Sequence, residues 1–113
     1  MDVKQYYTLV QGNYDGAKSI MMNDQFIERM LGKFFDGNSY EEIIASYENK
    51  DFKSLFAQIH SFKGVVGNLS LTPLYDIASI ITEATRGGEY VNIDNEINTL
   101  KEKYLHAKKC FKG

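Results

Sequence analysis

Proline occurs once in this chain, cysteine once and tryptophan not at all. Each scarcity excludes something. The single cysteine, Cys110, cannot form an intrachain disulfide, which fits a reducing compartment. It lies near the chain end with no acid or base partner in view, so an inert thiol is expected. No stretch approaches the ~18 consecutive apolar residues of a membrane span. The opening "MDVKQYYTLV" lacks the basic-then-apolar pattern of a secretory signal. A cytoplasmic protein without a membrane partner is expected. Charge of one sign is also missing: 13 basic residues against 15 acidic leave a net charge of -2. That argues against nucleic acid, which calls for a clear basic excess. The local exception, "KEKYLHAKKCFKG", reads as a helix C-terminus whose cations complement the dipole. There is no G-x-x-x-x-G-K-[ST] phosphate loop and no cluster of metal ligands, so no cofactor or metal of its own is expected.

Period-2 alternation is absent as well, and apolar residues recur at three and four instead. The pattern predicts a short helix over 14–22, then helices over 24–36, 39–49, 51–69, 72–87 and 93–111. Asn23 or Asp24 caps the second, whose apolar stripe is Phe26, Ile27, Met30, Leu31, Phe34 and Phe35. Ser39 and Glu42 have the spacing of a capping box. Asp51 caps the helix carrying His60. Thr72 caps the next, with Pro73 at its first position, and Gly87-Gly88 ends it. The last helix buries Ile93, Ile97, Leu100, Tyr104, Ala107 and Phe111. Short loops between amphipathic helices imply antiparallel neighbours. The expected architecture is one domain over 1–113: an all-α, up-down, antiparallel four-helix bundle over about 23–111. Segments 24–36 and 39–49 serve as one broken helix, and N-terminal turns and a short helix over about 1–22 cap one end. A monomer is expected, since four helices close the bundle.

One helix carries an anomaly. "HSFKGVVGNLSL" places glycines at positions 64 and 67 beside His60, although glycine costs a helix about 1 kcal/mol relative to alanine. On a wheel of about 100° per residue, Phe52, Leu55, Ile59, Phe62, Val66 and Leu69 fall on the core side. Lys53, Phe56, Ala57, Lys63, Gly64 and Gly67 fall within about 60° of His60. Val65 points about 140° away and leaves the ring accessible. The pattern describes an exposed imidazole with a cation one turn on and a cleared surface beyond it. That combination suits a nucleophilic histidine that carries a phosphoryl group, with Lys63 stabilising the phosphoryl oxygens. The plain alternative is an incidental surface histidine. His106, among lysines on the last helix, reads as solvated or capping. Glu41 and Glu42 read as helix-start residues, and Glu83 and Glu89 have no evident catalytic partner.

"HSFKGVVGNLSL" resembles the signature of histidine-containing phosphotransfer (HPt) domains through His60, Phe62, Lys63, Gly64, Gly67 and Leu69. "NKDFKSLFAQI" and "TPLYDIASIITEATRGGE" resemble the flanking helices of that family. The likeness is specific over about 40–90 and compatible over the first and last helices. It departs at Val65 and Val66, where smaller residues are common.

The resemblance implies a four-helix bundle acting as a phosphorelay carrier in two-component signal transduction. His60, through Nε2, would accept a phosphoryl group from a receiver-domain aspartate and pass it to another receiver. The partners would be receiver domains of response regulators or hybrid sensor kinases, which supply the aspartate and Mg²⁺. Lys63 would be the electrostatic partner. Lys53, Phe56, Ala57, Gly64 and Gly67 would form the docking patch. No autonomous kinase or ATPase activity is expected. A free-standing protein and a piece of a larger kinase both accommodate the sequence. Two other readings remain: a non-catalytic helical module docking a signalling partner through the face around His60, and a histidine-based hydrolase. The hydrolase needs a second titratable group beside His60, where the wheel places only lysines.

Overall fold

The computed structural model describes residues 1–112. Among them are seven helices and no strand: α1 (Val3–Leu9), α2 (Tyr14–Met21), α3 (Asp24–Asp36), α4 (Ser39–Glu48), α5 (Phe52–Asn68), α6 (Thr72–Ala84) and α7 (Asp94–Lys112). The all-α class follows the three-and-four spacing. No helix among the described residues is long and apolar enough to cross a membrane.

Short polar side chains set most helix starts. Asp2, Asn13, Asn23 and Asp51 accept from the backbone N–H of Gln5, Gly16, Phe26 and Ser54 at 3.0, 2.9, 2.8 and 3.1 Å. Each satisfies a donor that the first turn leaves without a partner. Two expected caps do not form. Ser39 and Thr72 are already helical, and the residues before them, Asn38 and Leu71, make no side-chain cap. The Ser39–Glu42 capping box is therefore absent, because the Asn38 carbonyl already receives the Glu42 N–H at 3.0 Å. Pro73 sits one position deeper than expected, still within the turn whose N–H groups lack intrahelical partners. Buried Leu71, whose carbonyl receives the Tyr75 N–H at 2.9 Å, sets that start instead.

Helix α6 ends at Ala84, three residues before the expected stop at 87. Thr85 turns its hydroxyl back onto the Ile81 carbonyl at 2.8 Å, and Gly88 takes the left-handed turn at φ +70°. Four residues other than glycine also take positive φ: Gln11, Met22, Lys50 and Ser70, at 58°, 75°, 57° and 54°. After Gln11, Lys50 and Ser70 the next N–H reaches back to the Tyr7, Ser46 and Val66 carbonyls at 2.9, 2.9 and 3.0 Å, closing α1, α4 and α5. Helix α4 packs on α5, α5 on α6 and α6 on α7.

The N-terminal residues, expected only as turns, form α1. Val3, Tyr6, Tyr7 and Val10 repeat at three and four and are all buried. Tyr7 Oη donates to the Leu69 carbonyl at 2.6 Å, and Tyr6 Oη to the Ala107 carbonyl at 2.9 Å. Two hydroxyls thus tie α1 to the end of α5 and to α7. An aromatic cluster continues from Tyr6, whose ring centre lies 5.9 Å from that of Phe111. Phe34 meets Phe62 and Tyr104 at centroid distances of 5.5 and 5.9 Å, and Phe35 meets Phe111 at 5.4 Å. Such edge and tilted pairs add to the area they bury. Phe26, at the margin of the apolar stripe of α3, is 37% exposed.

Candidate functional site

Helix α5 buries Phe52, Leu55, Ile59, Phe62 and Val66, the side the wheel assigns to the core. Its other side carries the candidate residues. His60, Lys53, Ala57 and Gly64 are exposed, whereas Phe56, Lys63 and Gly67 are half-buried. A shallow depression of about 320 Å³ is lined by His60, Lys63, Gly64, Gly67, Asn68 and Tyr75. Three of the candidate positions, Lys53, Phe56 and Ala57, lie outside it along the helix. Phe56 still flanks the histidine, its ring 5.8 Å from the imidazole and tilted by 30°.

The two glycines differ in their surroundings. A Cβ on Gly64 would meet no atom within 4 Å, so this position faces open space. A Cβ on Gly67 would lie 3.1 and 3.2 Å from Cδ1 and Cε1 of Tyr75. The immediate neighbour accommodated by Gly67 is thus a residue of α6. Lys53 is flanked by the turn after α6, where a Cβ on Gly88 would lie 3.8 Å from its Cα.

Helix α6 and the turn after it bring further groups to this face. Lys63 Nζ stands 5.8 Å from the centre of the Tyr75 ring. The Arg86 guanidinium stands over the Phe56 ring, 5.5 Å from its centre. Arg86 also grips Glu83 through Nη2–Oε1 at 2.7 Å and Nε–Oε2 at 3.2 Å. These hydrogen bonds, then the Arg86 charge, hold the Glu83 carboxyl below its usual range, and Lys63 and His60 add to the effect. A carboxylate therefore lies close enough to feel both candidate residues. The wheel of α5, which places only lysines beside His60, does not register a carboxylate carried on α6. Glu83 does not make a general base, because a carboxyl stabilised in its charged form is a weaker proton acceptor. A signal was available in the sequence: Tyr75, Ser79, Glu83 and Arg86 recur at four, four and three along one side of α6 and into the turn after it.

Among the described residues no group of three or more His, Cys, Asp or Glu is placed to hold a metal. Beyond Asn68, a second hollow of about 570 Å³ opens, lined mainly by apolar residues including Ile20, Phe26, Met30, Phe34 and Val65. The two hollows share Asn68. On the far helix, His106 Nε2 lies 3.1 Å from the Leu9 carbonyl, so the ring donates there and caps the end of α1. Cys110, for which no partner was expected, has Sγ 3.8 Å from the same imidazole. Their spacing of four on one helix would have revealed the pair.

Comparison of the chain with family models, curated proteins and solved structures yields no match.

Proposed function

We propose that the chain is a phosphorelay carrier of the HPt type, in which His60 is the covalent phosphoryl acceptor. The observation that carries the reading is the arrangement along α5. An exposed imidazole is followed one turn on by an ammonium group and by a glycine that faces open space. A docked receiver can then bring a phosphorylated aspartate to the ring without meeting a side chain at Gly64.

The transfer balances without an added base. Neutral His60 keeps its proton on Nδ1 and attacks phosphorus with the Nε2 lone pair. The Nε2–P bond forms as the aspartyl O–P bond breaks, and the carboxylate leaves with that electron pair. The imidazole becomes a phosphoimidazolium, whose charge opposes that of the phosphoryl group. Lys63 stabilises the phosphoryl oxygens by charge-assisted hydrogen bonding. The reverse sequence delivers the group to a second receiver. In this reading Mg²⁺ belongs to the receiver, and Lys53, Phe56, Ala57, Gly64 and Gly67 form the docking face. Helices α3 with α4, then α5, α6 and α7, make an up-down four-helix bundle closed at one end by α1 and α2. The carrier acts as a cytoplasmic monomer.

The apolar hollow adjoining the site favours a second reading, a docking module without chemistry. One experiment separates them. The protein and its His60→Gln variant are mixed with a phosphorylated receiver domain and Mg²⁺. Acid-labile, base-stable label on the wild type alone supports the carrier. Receiver binding by both proteins without label on either supports the docking module.

A further inference from the structure

The lysine of the site raises a physical difficulty. Lys63 is half-buried on a flexible four-carbon stem. To stabilise phosphoryl oxygens it must be held near the imidazole while keeping its charge and N–H groups available. A carboxylate would hold it, but would also neutralise the ammonium and repel the incoming phosphoryl group. Among the described residues no carboxylate lies within ion-pair distance of Lys63. The acidic group that feels its charge, Glu83, is already held at two points by Arg86.

An aromatic face offers a different way to hold a cation. Its quadrupole attracts the ammonium electrostatically and leaves the N–H groups on the far side free. Tyr75 provides such a face, with its ring centre 5.8 Å from Lys63 Nζ. It is 39% exposed and lines the same depression as His60. Its ring lies against Gly67, where a Cβ would stand 3.1 Å from the ring edge, closer than ordinary contact, so that the ring would have to shift. Gly67, Tyr75 and Lys63 thus form one contiguous arrangement.

We infer that Tyr75 is a positioning residue that holds the Lys63 ammonium beside His60 through its ring face, with Gly67 admitting the ring. The inference rests on the carrier reading of His60 and adds a residue of α6 to it. Tyr75 touches neither the phosphoryl donor nor the reacting nitrogen; it acts through Lys63.

The test uses the intact chain and phosphoramidate, a small phosphoryl donor that needs no receiver docking. Labelling rates are compared for wild type, Tyr75→Phe, Tyr75→Leu, Lys63→Met and the double variant Lys63→Met/Tyr75→Leu. The Lys63 Cε methylene shift is followed by NMR in the proteins that retain the lysine. Tyr75→Leu is expected to slow labelling roughly two- to five-fold, the range for an exposed cation–ring contact. It should also abolish the ring-induced upfield shift of Lys63. Tyr75→Phe should retain both the rate and the shift. In the Lys63→Met background, Tyr75→Leu should have no further effect, as expected for two residues acting through one contact. Gly67→Ala should displace the ring and reproduce part of the Tyr75→Leu shift. An unchanged Lys63 shift in Tyr75→Leu overturns the inference, as does equal slowing by Tyr75→Leu with and without Lys63. If the wild type takes no label from phosphoramidate or from any receiver, the carrier reading fails. The Lys63 shift then still decides whether Tyr75 positions the ammonium.

Discussion

The end of the molecule where α1 meets α7 and the face around His60 are both rich in rings, and they use them in opposite ways. Near α1 the rings are buried: Tyr6, Tyr7, Phe35 and Tyr104 are each no more than 2% exposed. The hydroxyls of Tyr6 and Tyr7 end on backbone carbonyls, and Tyr40 stacks on Tyr104 at 3.9 Å. Around His60 the rings of Phe56 and Tyr75 are only partly covered, and each faces a cation. Burial with satisfied polar groups yields stability. Partial exposure beside cations leaves groups free to act on something outside the chain. The same residue types therefore serve cohesion in one region and availability in the other.

This contrast can be tested most sharply with one substitution on each side. Phe35→Ala should cost about 3–5 kcal/mol in urea denaturation, through lost contacts and the cavity left behind. If His60 is the proposed phosphoryl carrier, any protein that remains folded should still label there. On that proposal His60→Gln should remove all phosphohistidine and leave stability within about 0.5 kcal/mol, as expected for a surface change. A marked loss of stability in His60→Gln would show that the two regions are not separable in this way.

A smaller effect belongs to the hydroxyl that joins α1 to α5. Tyr7→Phe should cost about 1–2 kcal/mol, because it strips a partner from the Leu69 carbonyl at a buried helix end. Equilibrium unfolding checks the value, and labelling of His60 should be unchanged.

The aromatic end should also give the protein an alkaline limit. Burial raises the Tyr6 and Tyr7 hydroxyls above the ordinary tyrosine range and pushes Tyr104 up to about 12. The hydrogen bond to Asp94 pushes Tyr47 up to about 12 as well. Unfolded tyrosine ionises near pH 10. A folded-state pKa above that value means the native chain holds the proton more tightly. The associated stability is complete below about pH 10 and is lost as the pH climbs toward 12. Unfolding followed from pH 8 to 12 should show that decline, and Tyr6→Phe with Tyr7→Phe should flatten it. A profile unchanged by the double variant would place the alkaline limit elsewhere.

The smallest effects concern the two glycines. Gly64→Ala should raise stability by about 0.5–1 kcal/mol, because the position faces open space and alanine favours the helix. It should slow receiver-dependent transfer more than labelling by a small donor. Gly67→Ala should gain less or lose stability, since the added methyl meets the Tyr75 ring. Equal stabilisation by the two substitutions would erase the distinction drawn between them.

Much of the helical framework was legible because it rests on local spacing. The boundaries of α3, Asp24–Asp36, coincide with the segment read from its apolar stripe, and Asn23 caps it as one of the two residues expected there. Helix α1 was equally periodic in Val3, Tyr6, Tyr7 and Val10, but its polar tyrosine hydroxyls obscured how deeply it is buried. Those hydroxyls became compatible with the interior only because Leu69 and Ala107, far along the chain, offer carbonyls. The capping box at Ser39 failed for a different reason. Its side-chain spacing was present, but a backbone carbonyl one residue earlier starts the helix.

The site divides along the same line. Sequence alone determined that His60, Lys63 and Gly64 share the face of α5 opposite its core residues, because 3.6 residues per turn sets that relation within one helix. Only the tertiary structure decided what stands across from that face. The left-handed turn at Ser70 and the burial of Leu71 set the register of α6 against α5. That register brings Tyr75 to Gly67 and Lys63, Arg86 to Phe56, and Glu83 into the field of His60. Helical periodicity is a property of neighbours in the chain. Register between helices depends on the packing of many side chains at once, and no single spacing encodes it.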